Sequence, residues 1–447
     1  MRRLSLVTPL VVAALVGACG PPVGGPAPEP APDPCVLAAD SLDAPAGPNL
    51  TLALGAPVDP AHAPIPVNHA EALVFRQLYE TLVLVDCEGA VRPGLARSWS
   101  GADDGRVWEF VLRDARFWDG RPVTAGDVAA AWATTPHAAR LGVAPESVTA
   151  LDDRRLRVAT DRPAAEPYLF AEPALAIASP DARGSTLPAG SGRFQLTLTE
   201  TPDGLVRLAL VAIRGNARFA VRTIHPAAAR DALDGDVDLL ITDDPDAVNY
   251  AKGRADLAAI ALPWDRTYVL ASAQGAPITT GGDAAAFRAS LARDAVRADA
   301  RGAPPPFWWE RLPRGCLAAE PTVPPPTAGR ILHERGDAAA RGLAARLVAL
   351  ALLERGLRVE ALAAPEFPAA LRSGGDHYVL SVPRRVLDAC AAARDLVARA
   401  PWLAGTLESG PAQSLTPLID VRRHVLARAL PAGATVGWGG TIRFADR

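Results

Sequence analysis

The sequence predicts an α/β protein in two lobes, with mixed sheets flanked by helices. Three observations carry that expectation. The chain has 447 residues, enough for more than one separately cored domain. Residues 107–113 alternate, with Trp108, Phe110 and Leu112 on one face, as a half-buried strand requires. Residues 330–382 read strand, helix, strand, strand, the alternation of an α/β lobe.

The elements follow in order. Leu50–Gly55 is a short apolar run that reads as a buried strand, ended by Pro57 and Pro60. Asn68 is placed to cap a helix whose apolar positions are Leu73, Val74, Leu78 and Leu82. Asp103-Asp104-Gly105 and Asp119-Gly120-Arg121-Pro122 read as turns. Thr124 with Asp127 resembles a capping box in which Asp replaces Glu. In the second half, Arg330–His333, Leu357–Ala361 and Tyr378–Val382 read as strands. Asp337 caps a helix carrying Leu343, Leu347, Leu350 and Leu353, which Gly356 ends.

The amino terminus reads as an export address. Arg2 and Arg3 precede an apolar run, Leu4–Val16, too short to span a bilayer comfortably, and Leu15-Val16-Gly17-Ala18 leads into Cys19. That pattern resembles a bacterial lipobox, so Cys19 is the expected lipidation site and the lipid the expected membrane anchor. Residues 20–34 (GPPVGGPAPEPAPDP) form a Pro/Gly/Ala tether that can bury no core. Four further cysteines, Cys35, Cys87, Cys316 and Cys390, suit disulfides in an exported protein. Three pairings are open; Cys35–Cys87 with Cys316–Cys390 would keep each bridge within one lobe.

Composition narrows the function classes. A hydrophobic share of 49% against 21% charged residues excludes a disordered chain over most of the length. A net charge of −3 without a basic run argues against nucleic acid as a partner. No HExxH, GxSxG, Walker or GxGxxG pattern is present, and the seven histidines are scattered, so neither an enzyme nor a resident cofactor or metal is expected. Asp234, Asp236 and Asp238 viewed alone suggest calcium, but Leu239 and Pro245 stand where an EF-hand loop needs Gly and Glu.

The densest signal lies between residues 79 and 128. It comprises Tyr79-Glu80-Thr81-Leu82, Pro93-Gly94-Leu95-Ala96-Arg97-Ser98-Trp99, Asp103-Asp104-Gly105, Leu112-Arg113 and the run from Phe117 to Val128 (FWDGRPVTAGDV). In that order these motifs resemble the family 5 extracellular solute-binding proteins, the dipeptide, oligopeptide and nickel receptors of ABC transporters. Gly190-Ser191-Gly192-Arg193-Phe194 and the stretch Ala232–Asp238 are weaker echoes. The resemblance implies a class II periplasmic-binding-protein fold, with a small peptide or other solute bound between the lobes and a transporter permease as partner. It also implies a monomer held at the extracytoplasmic face. The expected organisation is signal peptide 1–18, lipidated cysteine and tether 19–47, lobe I 48–271 with an extra subdomain at about 58–185, lobe II 272–418, and a return segment 419–447.

The expected ligand groups are Arg384, Arg385, Asp388, Trp308, Trp309, Trp264 and Ser272. In peptide-binding relatives a Trp wall and an ammonium-binding Asp follow a Gly-Asp-Tyr-Asp strand. Here Gly375-Asp376-His377-Tyr378 matches the start, but Arg384 stands where the Trp belongs and Leu387 where the Asp belongs. Two arginines facing a cleft would suit a carboxylate or phosphate better than an ammonium. A nickel receptor would need a histidine there, with His69 and His377 as candidates. The alternative expectation is a lipoprotein that keeps the fold for a structural or interaction role and binds no transported solute.

Overall fold

The computed structural model describes residues 33–38, 47–133, 135, 138–139, 141–161, 163–180, 187–200, 206–272, 301–302, 312, 315–317, 329–349, 357–363, 365–384, 389–409 and 414–445. Met1–Asp33 is one unit and Pro34–Arg447 another. Cys19, Trp308, Trp309, Arg385 and Asp388 lie outside the described residues, as do Leu350, Leu353 and Gly356.

In the unit Pro34–Arg447 the chain begins with β1 (Asn49–Leu54) and α1 (His69–Leu78). Asn68 caps α1 by accepting from the Glu71 N–H at 3.0 Å. A small subdomain follows: β2 (Val83–Val85), β3 (Val91–Pro93), β4 (Ala96–Ala102), β5 (Val107–Leu112), α2 (Ala125–Ala133), β6 (Val148–Ala150) and β7 (Arg155–Ala159). Trp108, Phe110 and Leu112 do face inward from β5, while Glu109 is exposed. The Thr124–Asp127 box forms reciprocally: the Thr124 N–H donates to Asp127 at 2.9 Å, and the Asp127 N–H to Thr124 Oγ1 at 3.2 Å. These strands order as β4-β5-β7-β6 over a core centred on Phe110, Trp132 and Phe170.

Then come β8 (Phe194–Glu200), β9 (Val206–Ala212), β10 (Arg218–Thr223), α3 (Ala229–Asp234), β11 (Leu239–Thr242) and α4 (Pro245–Lys252). A long strand, β12 (Ala258–Ser272), leads to β13 (Arg301–Gly302), β14 (Arg330–Glu334), α5 (Ala338–Ala349), β15 (Arg358–Leu362), α6 (Glu366–Ser373), β16 (His377–Pro383), α7 (Ala389–Arg399) and α8 (Ala404–Ser409). A second long strand, β17 (Leu415–Ala427), returns the chain to the short hairpin β18 (Thr435–Val436) and β19 (Ile442–Arg443). Asp337 accepts from the Ala340 N–H at 2.9 Å, capping α5.

The large sheet runs β15-β14-β16-β12-β17-β11-β1-β10-β9-β8, with β13 on β17. Its two ends are built from different cores. Leu52, Phe75, Phe194 and Phe219 lead one, with a second layer of Leu233, Leu240 and Val248 beneath α3 and α4. Tyr378, Leu396 and Trp402 lead another, with Ile331, Leu343 and Leu347 beneath α5. No core cluster of the described residues draws on both β1 and β14. This is the two-lobed α/β plan.

The neighbours of β12 change along its length. Residues Arg266–Ser272 already pair with β16, while Ala258–Ala261 lie beside the part of β17 that pairs with β11. Pairing of β12 with β16 thus begins at Arg266. The register of β12 against β17 shifts on both sides of Trp264, next to Pro263, which supplies no N–H to a ladder. Disulfides join Cys35 to Cys87 and Cys316 to Cys390.

Candidate functional site

The family-type motifs of residues 79–128 build a structural knot rather than a cleft. Glu80, buried, takes Arg113 at 2.6 Å and the Ser191 hydroxyl at 3.0 Å, with Arg443 3.8 Å away. A Cβ at Gly190 would sit 2.0 Å from the Leu78 carbonyl oxygen, and one at Gly192 2.2 Å from that of Gln77. Glycine is therefore required where the chain passes the end of α1. Tyr79 donates to the Pro188 carbonyl at 2.9 Å, and its ring lies 5.9 Å from that of Trp118.

Strand direction shows where the two halves of the sheet converge. β1, β10 and β11 are parallel, and so are β14, β15 and β16. The carboxyl end of β11 is Thr242, opposite His424; that of β16 is Pro383, opposite Arg266. The two sets of parallel strands thus run toward each other and stop at the same stretch of β12 and β17. Ligands of open α/β sheets bind outside the carboxyl ends of strands.

That stretch is densely charged. Asp265, 6% exposed, binds Arg423 at 2.8 Å and Arg266 at 3.2 Å, and Arg266 also pairs with Asp243 just after β11. Asp420 accepts from Thr267 and from Arg384 at 2.9 Å. The Arg384 backbone is held at both ends: its N–H donates to the Asp265 carbonyl at 2.7 Å, and its carbonyl accepts from the Trp438 indole at 3.2 Å. Arg422 lies 4.5 Å from the centroid of the Trp264 ring, a cation–π contact, and burial lowers its pKa. Tyr268 donates to the Asp337 carboxylate at 3.0 Å; burial raises its phenol pKa.

Two of the sequence-derived residues, Arg384 and Trp264, therefore stand at the crossing. Ser272 does not: it lies at the other end of β12, buried, with its hydroxyl 3.0 Å from His377 Nδ1 and its N–H on the Ser414 carbonyl. His377 begins β16, at the end of the strand away from the crossing. Asp376 beside it binds Arg330 at 2.7 Å. The Ser–His contact thus has its neighbouring carboxylate committed elsewhere, and Ser272 is closed to solvent. The acidic triplet also disperses: Asp234 binds Arg254, Asp236 binds Arg222, and Asp238 takes the Thr51 N–H at 2.7 Å. Among the described residues no three metal-ligating side chains converge.

The sequence reading missed Asp243, Asp265, Arg266, Asp420 and Arg423. A signal was present: WDRTYVLAS and IDVRRHVLA place charges inside otherwise apolar strand runs, at the two positions where the chain crosses between lobes.

The fold, two lobes linked by shared strands, is that of the periplasmic binding proteins. The model of the bacterial extracellular solute-binding proteins, family 5, matches residues 90–279, a little under half of the chain, and that stretch is similar to the family. Among curated proteins it is 44% identical over 78 residues to the periplasmic murein peptide-binding protein MppA of Escherichia coli, covering 17% of this chain and 14% of MppA. It is 28% identical over 254 residues to the probable D,D-dipeptide-binding periplasmic protein DdpA of the same organism, covering 49% and 48%. The aligned segments therefore span less than half of these relatives' own lengths. Among solved structures, NikA from Brucella suis in complex with Fe(III)-EDTA aligns over 88% of this chain and 98% of its own at a TM-score of 0.62 and 16% identity, a likeness of fold.

Proposed function

We propose that this chain is a lipid-anchored extracytoplasmic receptor that captures a small solute between its lobes and delivers it to an ABC transporter. One observation carries the reading: parallel strands of two separately cored lobes end face to face on a charged crossing that, among the described residues, is built on two long strands. A pair of lobes so joined can close around a ligand, and closure shifts populations by the ligand's differential affinity for the closed state. The crossing offers guanidinium groups for a carboxylate or phosphate, carboxylates for an ammonium, and Trp264 as an apolar wall. Peptides and other small charged organic molecules both fit that chemistry, and MppA and DdpA carry peptide-binding names. Lipidation at Cys19 would hold the receptor near its permease, and a monomer suffices for the task. The Thr267 hydroxyl does meet a carboxylate, but Asp420 is also held by Arg384, so binding rather than catalysis is the role proposed.

Mass spectrometry of small molecules released on denaturing the purified protein tests the proposal. A reproducible compound that raises the melting temperature when added back supports it. Repeated absence, with no thermal shift across peptide, sugar and organic-anion libraries, overturns it in favour of the second reading, a lipoprotein that keeps the fold without a transported solute. That second reading has its own support in Arg384 and Asp265, whose charges already meet partners within the chain.

A further inference from the structure

The turn between β18 and β19, residues 437–441, touches three parts of the molecule at once. Its flanks are planted in lobe I, where Val436, Ile442 and Phe444 belong to the core led by Leu52, Phe75 and Phe219. Its first residue lies on the small subdomain: Gly437 bridges Asp86, and a Cβ there would stand 2.9 Å from the Val85 carbonyl oxygen. Its Trp438 indole donates at 3.2 Å to the carbonyl of Arg384, the residue that follows β16 of lobe II.

The turn is a stiff base for that last contact. The Gly437 N–H donates to the Thr441 carbonyl at 2.7 Å, and the Val436 N–H to the Cys35 carbonyl at 2.7 Å. Cys35 is itself bonded to Cys87, next to Asp86. Arg423 donates to the Gly439 carbonyl at 3.3 Å. Gly440, at φ +71°, runs so close to β12 that a Cβ would lie 3.3 Å from the Leu262 Cβ. The turn thus rests on β12 just before the register shifts around Trp264.

The strands β12 and β17 carry the ladder that links the lobes. The indole adds a link that runs through neither strand. At 3.2 Å this hydrogen bond is at the long end of its range, so a further separation of about half an ångström breaks it. A donor fixed to lobe I and an acceptor at the end of a lobe II strand are therefore matched at one range of lobe angles. We propose that Trp438 is an interlobe latch, which favours the lobe angle seen here and is released when the lobes turn about the crossing. This rests on the receptor reading in one respect, that the lobes move.

The test is double electron–electron resonance on the full chain, with no ligand added. Nitroxides are carried on p-acetylphenylalanine in place of Thr199, exposed on the edge strand β8, and Arg372, exposed on α6. All cysteines stay untouched. In Trp438→Phe, which keeps a ring and removes the donor, the ratio of the parent's main distance to other distances is expected to fall about fivefold, the effect of one neutral hydrogen bond. Trp402→Phe is the control, because its indole donates to the Leu371 carbonyl at 2.7 Å wholly within the lobe II core. It should lower the melting temperature and leave the distances unchanged. The same distances in Trp438→Phe as in the parent, or an equal change in Trp402→Phe, overturns the latch. Failure to find a solute is read separately by mass spectrometry, since no ligand enters this measurement.

Discussion

His424 is fully buried, and neither ring nitrogen has a hydrogen-bond partner among the described residues. Burial, with Arg422 on its own strand and Lys252 at the end of α4, pushes its pKa down to about 4. The folded protein therefore holds the imidazole neutral, whereas the unfolded chain protonates near its ordinary 6.5. Stability from this group is complete above pH 6.5 and is lost as pH falls toward 4, by on the order of 3 kcal/mol. Urea unfolding of His424→Leu against the parent checks this: the variant is expected to lose less stability between pH 7 and pH 4.5. At the Glu80 knot, Gly192→Ala is expected to cost more than about 2 kcal/mol, because its Cβ would meet the Gln77 carbonyl oxygen. A melting curve reads that directly. The need for glycine at 192 was legible as a motif position. The orphan imidazole was not, since nothing around residue 424 announces that both nitrogens will be sealed off.

At the scale of elements, the caps and turns were read well because their chemistry is local. Asn68, Asp337 and the Thr124–Asp127 box each satisfy N–H groups within a few residues. The crossing was read less well because it is assembled from afar: Arg384 and Asp420 are 36 residues apart, Asp265 and Arg423 158. The charges were visible in the strands, but their pairing depends on the register of β12 with β17, which shifts around Trp264. Arg384→Ala would leave Asp420, whose side chain is 16% exposed, with Thr267 but without this guanidinium. A loss of about 2–3 kcal/mol is expected in denaturant unfolding. Arg384→Lys restores the charge but not the fork, so it should recover only part of that loss.

For the whole molecule, the two-lobed plan followed from the motif run at residues 79–128 and from the strand–helix alternation after Arg330. Each half carries its own disulfide. The Cys316→Ser, Cys390→Ser pair opens a loop with a sequence separation of 74 residues. It is expected to lower stability by about 4 kcal/mol, read as a drop in melting temperature, while leaving the Cys35–Cys87 half intact.

On the proposed reading, the separately cored lobes, linked among the described residues by a polar crossing, change their mutual angle when a solute is held between them. Small-angle X-ray scattering compares the protein stripped of co-purified compounds with the same sample after the recovered compound is returned. The account predicts a smaller radius of gyration and a shorter maximum dimension with the compound present. Identical scattering curves at saturating compound, with binding verified in the same sample, would contradict it.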